Sequence, residues 1–138
     1  MSMFKPEDLN HVDFAFGSTQ LDSLQMQKLS GISTALLEKS SLKLNITGIA
    51  DRKKDRFALA ELKYDSLSTL DSARYAATLQ SIKDTDLLTL TNKRAQNILL
   101  HITVKDSVPA DQVTIVEGEL SEEKGIKLIE CKLELDVK

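Results

Sequence analysis

The apolar residues of this chain change their spacing twice within the first fifty positions, and that switch limits the folds open to it. Val12-Asp13-Phe14-Ala15-Phe16 alternates with a period of two, the pattern of a half-buried strand. Gly17-Ser18 breaks it. Leu21, Leu24, Met26, Leu29, Ile32, Leu36 and Leu37 then recur at threes and fours, which marks one face of a helix. Asp22 or Ser23 is placed to cap that helix. Leu42-Lys43-Leu44-Asn45-Ile46-Thr47 alternates again, and Gly48 ends the run. Strand, helix, strand in this order is a βαβ unit, whose crossover leaves its two strands parallel.

The rest of the chain adds helices and then strands. Residues 53–83 contain no Gly or Pro and read as two helices divided at Ser66 or Ser68, because serine competes for backbone hydrogen bonds and caps well. Phe57, Leu59 and Leu62 are placed to face a core. Asp84-Thr85-Asp86 reads as a turn, and Thr89 to Ile102 as a further helix with Leu90, Ala95, Ile98, Leu99 and Ile102 on its apolar side. Val108-Pro109-Ala110-Asp111 is a loop before a strand at Val113-Thr114-Ile115-Val116. Glu117 to Gly125 is acidic and turn-rich. Ile126 to Val137 alternates through Leu128, Leu133, Leu135 and Val137 as a long last strand, antiparallel to its neighbour. It is expected at a sheet edge, where its Lys and Glu residues would discourage pairing between copies and favour a monomer. Cys131 shares its parity with Leu133 and reads as a small buried hydrophobe. These elements predict an α+β fold, a two-layer sandwich with a mixed sheet of about four strands and helices on one face.

At 138 residues the chain suits one domain, and with 4% aromatic residues and no Trp its core must be aliphatic. The net charge is -3 and the Lys and Arg residues are scattered, with no basic run carrying interleaved aromatics, so nucleic acid is not an expected partner. No apolar run approaches the ~20 residues of a membrane span. Met1-Ser2-Met3-Phe4-Lys5 lacks the apolar stretch of a signal peptide and reads as an added start, with natural sequence resuming near Met3. His11 and His101 lie far apart, and no Cys/His/Asp/Glu group has metal-ligand spacing. Thr47-Gly48-Ile49-Ala50-Asp51 lacks the second Gly and the Gly-Lys-Ser/Thr of a phosphate loop, and there is no Gly-x-Ser-x-Gly elbow. No metal, no cofactor and no enzymatic activity are expected.

One series of motifs points to a family. Phe14-Ala15-Phe16-Gly17-Ser18-Thr19-Gln20-Leu21 resembles the opening of OmpA-like C-terminal domains, where a Phe-rich strand runs into a small-residue turn and then a Leu. Leu44-Asn45-Ile46-Thr47-Gly48-Ile49-Ala50-Asp51 resembles that family's second strand, which ends in Gly-His-Thr-Asp. Leu90-Thr91-Asn92-Lys93-Arg94-Ala95 is similar to its Leu-Ser-x-x-Arg-Ala, and Val108-Pro109-Ala110-Asp111-Gln112-Val113 to its Val-Pro-Ala-x-Arg-Ile. The matches run in the family's order and span most of the chain. The resemblance implies a βαβ-α-ββ layout over residues 11–138, with 1–10 as a lead-in. It also implies a periplasmic module that grips peptidoglycan, with Asp51 taking an ammonium and Arg94 a carboxylate of the peptide stem in bidentate fashion.

The departures are specific. Ile49 stands where the family has His. Arg52-Lys53-Lys54-Asp55 replaces the Gly and Asn that shape the family's loop, and Arg94 follows Asp51 by 43 positions because of a helical insertion over 52–88. That plan resembles the C-terminal domain of unknown function of large AsmA-like envelope proteins. Asp51 then has a plainer reading as the N-cap of the segment from Arg52, and Arg94 as a surface residue. The function expected is a non-catalytic periplasmic interaction module with a remodelled or lost peptidoglycan site. Its partner would be an envelope protein or the rest of the parent chain. A working peptidoglycan tether through Asp51 and Arg94 is the alternative, and a small enzyme a third reading.

Overall fold

The computed structural model describes residues 9–66, 72–122 and 128–137. Its elements are β1 (His11–Phe14), α1 (Ser23–Glu38), β2 (Leu42–Thr47), β3 (Ile49–Asp51), α2 (Lys54–Ser66), α3 (Ser72–Ser81), α4 (Asp84–Leu100), β4 (Val113–Ile115), β5 (Glu119–Ser121) and β6 (Ile129–Val137). The fold is α+β: a mixed four-stranded sheet in the order β1-β6-β2-β4, with helices packed against it, and a small β3-β5 ribbon beside it.

Strand parity explains the two layers. Val12 and Phe14 of β1, Leu44 and Ile46 of β2, and Ile129, Cys131 and Leu133 of β6 are buried on one face. Leu29, Ile32 and Leu36 of α1 and Ala95 and Ile98 of α4 pack onto them in a single hydrophobic cluster, aliphatic but for Phe14 and Cys131 among its buried members. The alternate residues Glu130, Lys132 and Glu134 stand exposed on the other face. Asp22 caps α1, its carboxylate accepting from the Gln25 N–H at 2.9 Å. The far end of α1 is tied by Gln112, whose buried side-chain amide donates to the Leu36 carbonyl at 2.8 Å and the Leu42 carbonyl at 3.0 Å, satisfying a carbonyl of the last helical turn.

β1 and β2 point the same way, as the βαβ pattern predicts, but they are not neighbours. β6 lies between them, antiparallel to both. The expectation that the last strand lies at an edge is therefore corrected: β6 is central, because its alternating face satisfies two partners at once. Its Lys and Glu residues line an open sheet face and do not guard a rim. The edge strands are β1 and the three-residue β4, which runs parallel to β2. The outer side of β1 is partly occupied by α1, where the Gln25 side chain accepts from the Asp13 N–H at 3.0 Å. That contact accounts for the burial of Gln25; Leu24 and Leu37 of the same helix are half exposed.

Other differences are local. Asp84-Thr85-Asp86 is the first turn of α4 and not a turn between helices. The Asp86 carboxylate accepts from the Lys83 N–H at 2.8 Å, and two acidic residues suit the positive end of the helix. α4 continues through a π-helical turn at His101–Lys105. The turn-rich stretch after Glu117 contains β5, which pairs parallel with β3. α2 turns Asp55 and Ala60 inward and leaves Leu62 60% exposed and Phe57 partly exposed, so the apolar stripe read from the sequence is rotated. The described part of α2 ends at Ser66, and Ser68, like residues 126–127 of the last strand, lies outside the described residues. Leu128 is exposed and Ile129 takes the buried place.

Two glycines let α4 cross the sheet closely. A β-carbon at Gly48, between β2 and β3, would run into the backbone carbonyl of Thr91, and one at Gly118 into the Thr91 side chain. Gly17 has φ +75°, a left-handed conformation that favours glycine, and it turns the chain from β1 toward α1.

Candidate functional site

The two residues singled out by the family resemblance lie on either side of a third, Asp55. Arg94 projects from α4 and is 0% exposed, so the reading of it as a surface residue is corrected. Its guanidinium has five N–H donors, and each finds an acceptor within the chain. Nη1 and Nη2 donate to the two carboxylate oxygens of Asp55 at 3.0 and 2.8 Å, a bidentate fork. Nε donates to the Ser18 carbonyl at 2.9 Å, Nη1 also to Ile49 at 2.9 Å, and Nη2 also to Ala15 at 3.1 Å. The Phe14 ring lies 5.4 Å from the guanidinium carbon.

Asp55 is equally saturated. Besides Arg94, its Oδ1 accepts from the Gly17 N–H and its Oδ2 from the Asp51 N–H, both at 2.7 Å. The pair thus joins the β1–α1 turn, β3, the start of α2 and the middle of α4. Two charges survive in an apolar interior because every donor and acceptor between them is used.

Asp51 ends β3, 1% exposed. Its Oδ2 accepts from the Lys53 and Lys54 N–H groups at 3.1 and 2.7 Å, which is the work of a helix N-cap for α2. Its Oδ1 is buried without a hydrogen-bond partner among the described residues. Asp51 lines a cleft of about 1170 Å³ together with Arg52, Lys53, Arg56, Phe57 and Asp84. Arg94 does not. Cations at the rim are held by acids: Arg56 meets Asp84 at 2.9 Å, and Arg52 lies 3.5 Å from Asp84 and 3.6 Å from Glu122. The Asp51 and Arg94 side chains therefore do not line one cleft, and the arginine offers no open fork to a carboxylate.

Asp55 is not marked by the sequence motifs: it stands in Arg52-Lys53-Lys54-Asp55, which replaces the family's Gly and Asn. A usable signal was its helical spacing: Asp55 precedes Leu59 by four, so the two share a face.

Two further groups come together only in the fold. On β1 and β6, His11, Asp13 and Glu130 bring ligand-type atoms within 4.8 Å of one another. At the π-turn, His101 Nε2 lies 3.3 Å from both Ser30 Oγ and Asp106 Oδ2, while Ser30 and Ser33 donate to the same Oδ2 at 3.2 and 2.8 Å. A serine relay needs serine and carboxylate on opposite ring nitrogens; here both meet one nitrogen, so the group ties α1 to the π-turn and does not activate the serine. Burial lowers the His101 pKa from its ordinary value of 6.5 by more than Asp106 raises it. Below about pH 6.5 the unfolded chain then binds a proton that the folded chain resists, so stability is lost as the pH falls through that range. Urea midpoints measured from about pH 7.5 down to about pH 5.5 are expected to drop. His101→Asn should flatten that decline, and an unchanged slope would exclude the assignment.

Cys131 is fully buried, accepting from the Ile49 N–H at 3.3 Å. Burial pushes its thiol up to about 11, so little thiolate exists at neutral pH. This agrees with the small-hydrophobe reading. No helix among the described residues is long and apolar enough to cross a membrane. Compared with known proteins, the chain matches no family model and no curated protein sequence.

Proposed function

We propose that this chain is a non-catalytic interaction module of the bacterial envelope, the terminal domain of an AsmA-like protein. In this reading it keeps an OmpA-like scaffold, works in the periplasm, and binds an envelope protein or the body of its own parent chain. The arginine that would clamp a peptide stem has been turned inward as a strut. The observation that carries the reading is the saturation of Arg94 by Asp55 and three backbone carbonyls. An arginine already bonded through every donor would have to break an internal, water-excluded network to take a ligand carboxylate, which costs more than an exposed fork would gain. The non-catalytic part is supported by the Ser30–His101–Asp106 geometry, which does not form a relay, and by the inert Cys131.

Sedimentation with isolated peptidoglycan sacculi tests this. The intact chain is expected to stay in the supernatant. Pelleting that is reversed by free stem peptide and lost in Asp51→Asn would overturn the proposal in favour of the tether, since Asp51 alone of the two residues faces the cleft.

A further inference from the structure

We propose that His11, Asp13 and Glu130 form a three-ligand site for a divalent transition ion of the Zn²⁺ class on the open face of the sheet. The inference is independent of the envelope reading.

Register creates the site. Asp13 pairs with Glu130 and His11 with Lys132 across the antiparallel β1–β6 ladder. The Asp13 N–H points away from β6, to Gln25. The Leu133 N–H bonds the Asn10 carbonyl at 2.9 Å, which fixes the alternation of the ladder. Both observations make Asp13–Glu130 a non-hydrogen-bonded pair, the kind whose side chains approach most closely. Two carboxylates directly opposite each other are unfavourable unless a cation offsets them. Among the described residues, the Glu130 side chain has no hydrogen bond or ion pair. Lys132 on the same face meets Glu119 at 3.2 Å. His11, two positions along β1 and so on the same face as Asp13, lies with its Nδ1 2.8 Å from Asp13 Oδ1.

The spacing is close to what a metal requires. Zinc bonds of about 2.0–2.2 Å to nitrogen and carboxylate oxygen put tetrahedral ligands roughly 3.3–3.5 Å apart. The His11–Asp13 contact opens to that by a small side-chain rotation, and Glu130 closes to it from within the 4.8 Å envelope. One imidazole with two carboxylates suits zinc, iron or nickel, whereas calcium and magnesium prefer an all-oxygen set. His11 and Glu130 also line a cavity of about 560 Å³ beside the β3-β5 ribbon, which leaves room for a water or a partner's side chain in the fourth position.

The test is calorimetric titration of Zn²⁺ into the intact, chelator-stripped protein, with Co²⁺ as a visible probe. Saturable equimolar binding is expected, with cobalt absorption bands in the visible range and no competition from excess Mg²⁺. Glu130→Gln and His11→Gln should each weaken Zn²⁺ binding by about tenfold or more while leaving the circular dichroism spectrum unchanged. Absence of saturable binding, or binding equal to wild type in both variants, would overturn the proposal. Zinc held at any other site would show itself in the second way.

Discussion

Asp55→Ala is expected to lower the unfolding free energy by about 3–5 kcal/mol, because it strands a buried guanidinium. Asp55 and Arg94 are both 0% exposed, so solvent cannot replace the lost partner. The variant also frees the Gly17 and Asp51 N–H groups, each bonded to Asp55 at 2.7 Å. Asp55→Asn keeps an acceptor but turns an amide toward donors, so its loss should be smaller. Replacing both charges, as in Asp55→Leu with Arg94→Met, should recover only part of the loss. The reason is specific to this site: Arg94 also satisfies the carbonyls of Ala15, Ser18 and Ile49, which an apolar pair leaves bare. Urea unfolding followed by circular dichroism reads all of these. A loss below about 1 kcal/mol for Asp55→Ala would show that the pair is not the strut proposed.

Gly48→Ala should cost about 3 kcal/mol, the upper end for overpacking, or prevent folding altogether. The added methyl would meet the backbone carbonyl of Thr91 in the middle of α4, where neither the helix nor the β2–β3 junction can give way. Gly118→Ala meets the Thr91 side chain instead, and so should cost less. The ordering of the two midpoints is the measurement. Equal losses would mean that α4 shifts as a body.

What could be read in the sequence followed from local periodicity. The alternation at 42–47 and 129–133 and the helical spacing at 23–38 and 89–100 come from one face being buried, and each half-buried element carries that signal in its own residues. Strand order does not. Nothing in Ile129–Val137 says that β6 enters between β1 and β2, because insertion and edge addition bury the same parity. β3 and β5 have three residues each, too few to show a period, and β5 lies in an acidic stretch. The site was half legible for the same reason. Motif order directed attention to Asp51 and Arg94, but whether an arginine is open or locked depends on a carboxylate 39 positions away on another helix. His11 and Asp13 are legible as same-face neighbours, while Glu130 joins them only through ladder register.

The central position of β6 also bears on how the chain is made. A ribosome delivers β1, β2 and β4 first, and none of the three can complete the sheet. Among the described residues, β1 pairs only with Ile129-Glu130-Cys131-Lys132, which emerges after them all. Within this domain the apolar sheet face stays uncovered, or covered by helices alone, until β6 emerges. Closure of the sheet is thus a late event, with the long-range pairing that slows folding, and the interval before it is the period of greatest exposure to chaperones and proteases.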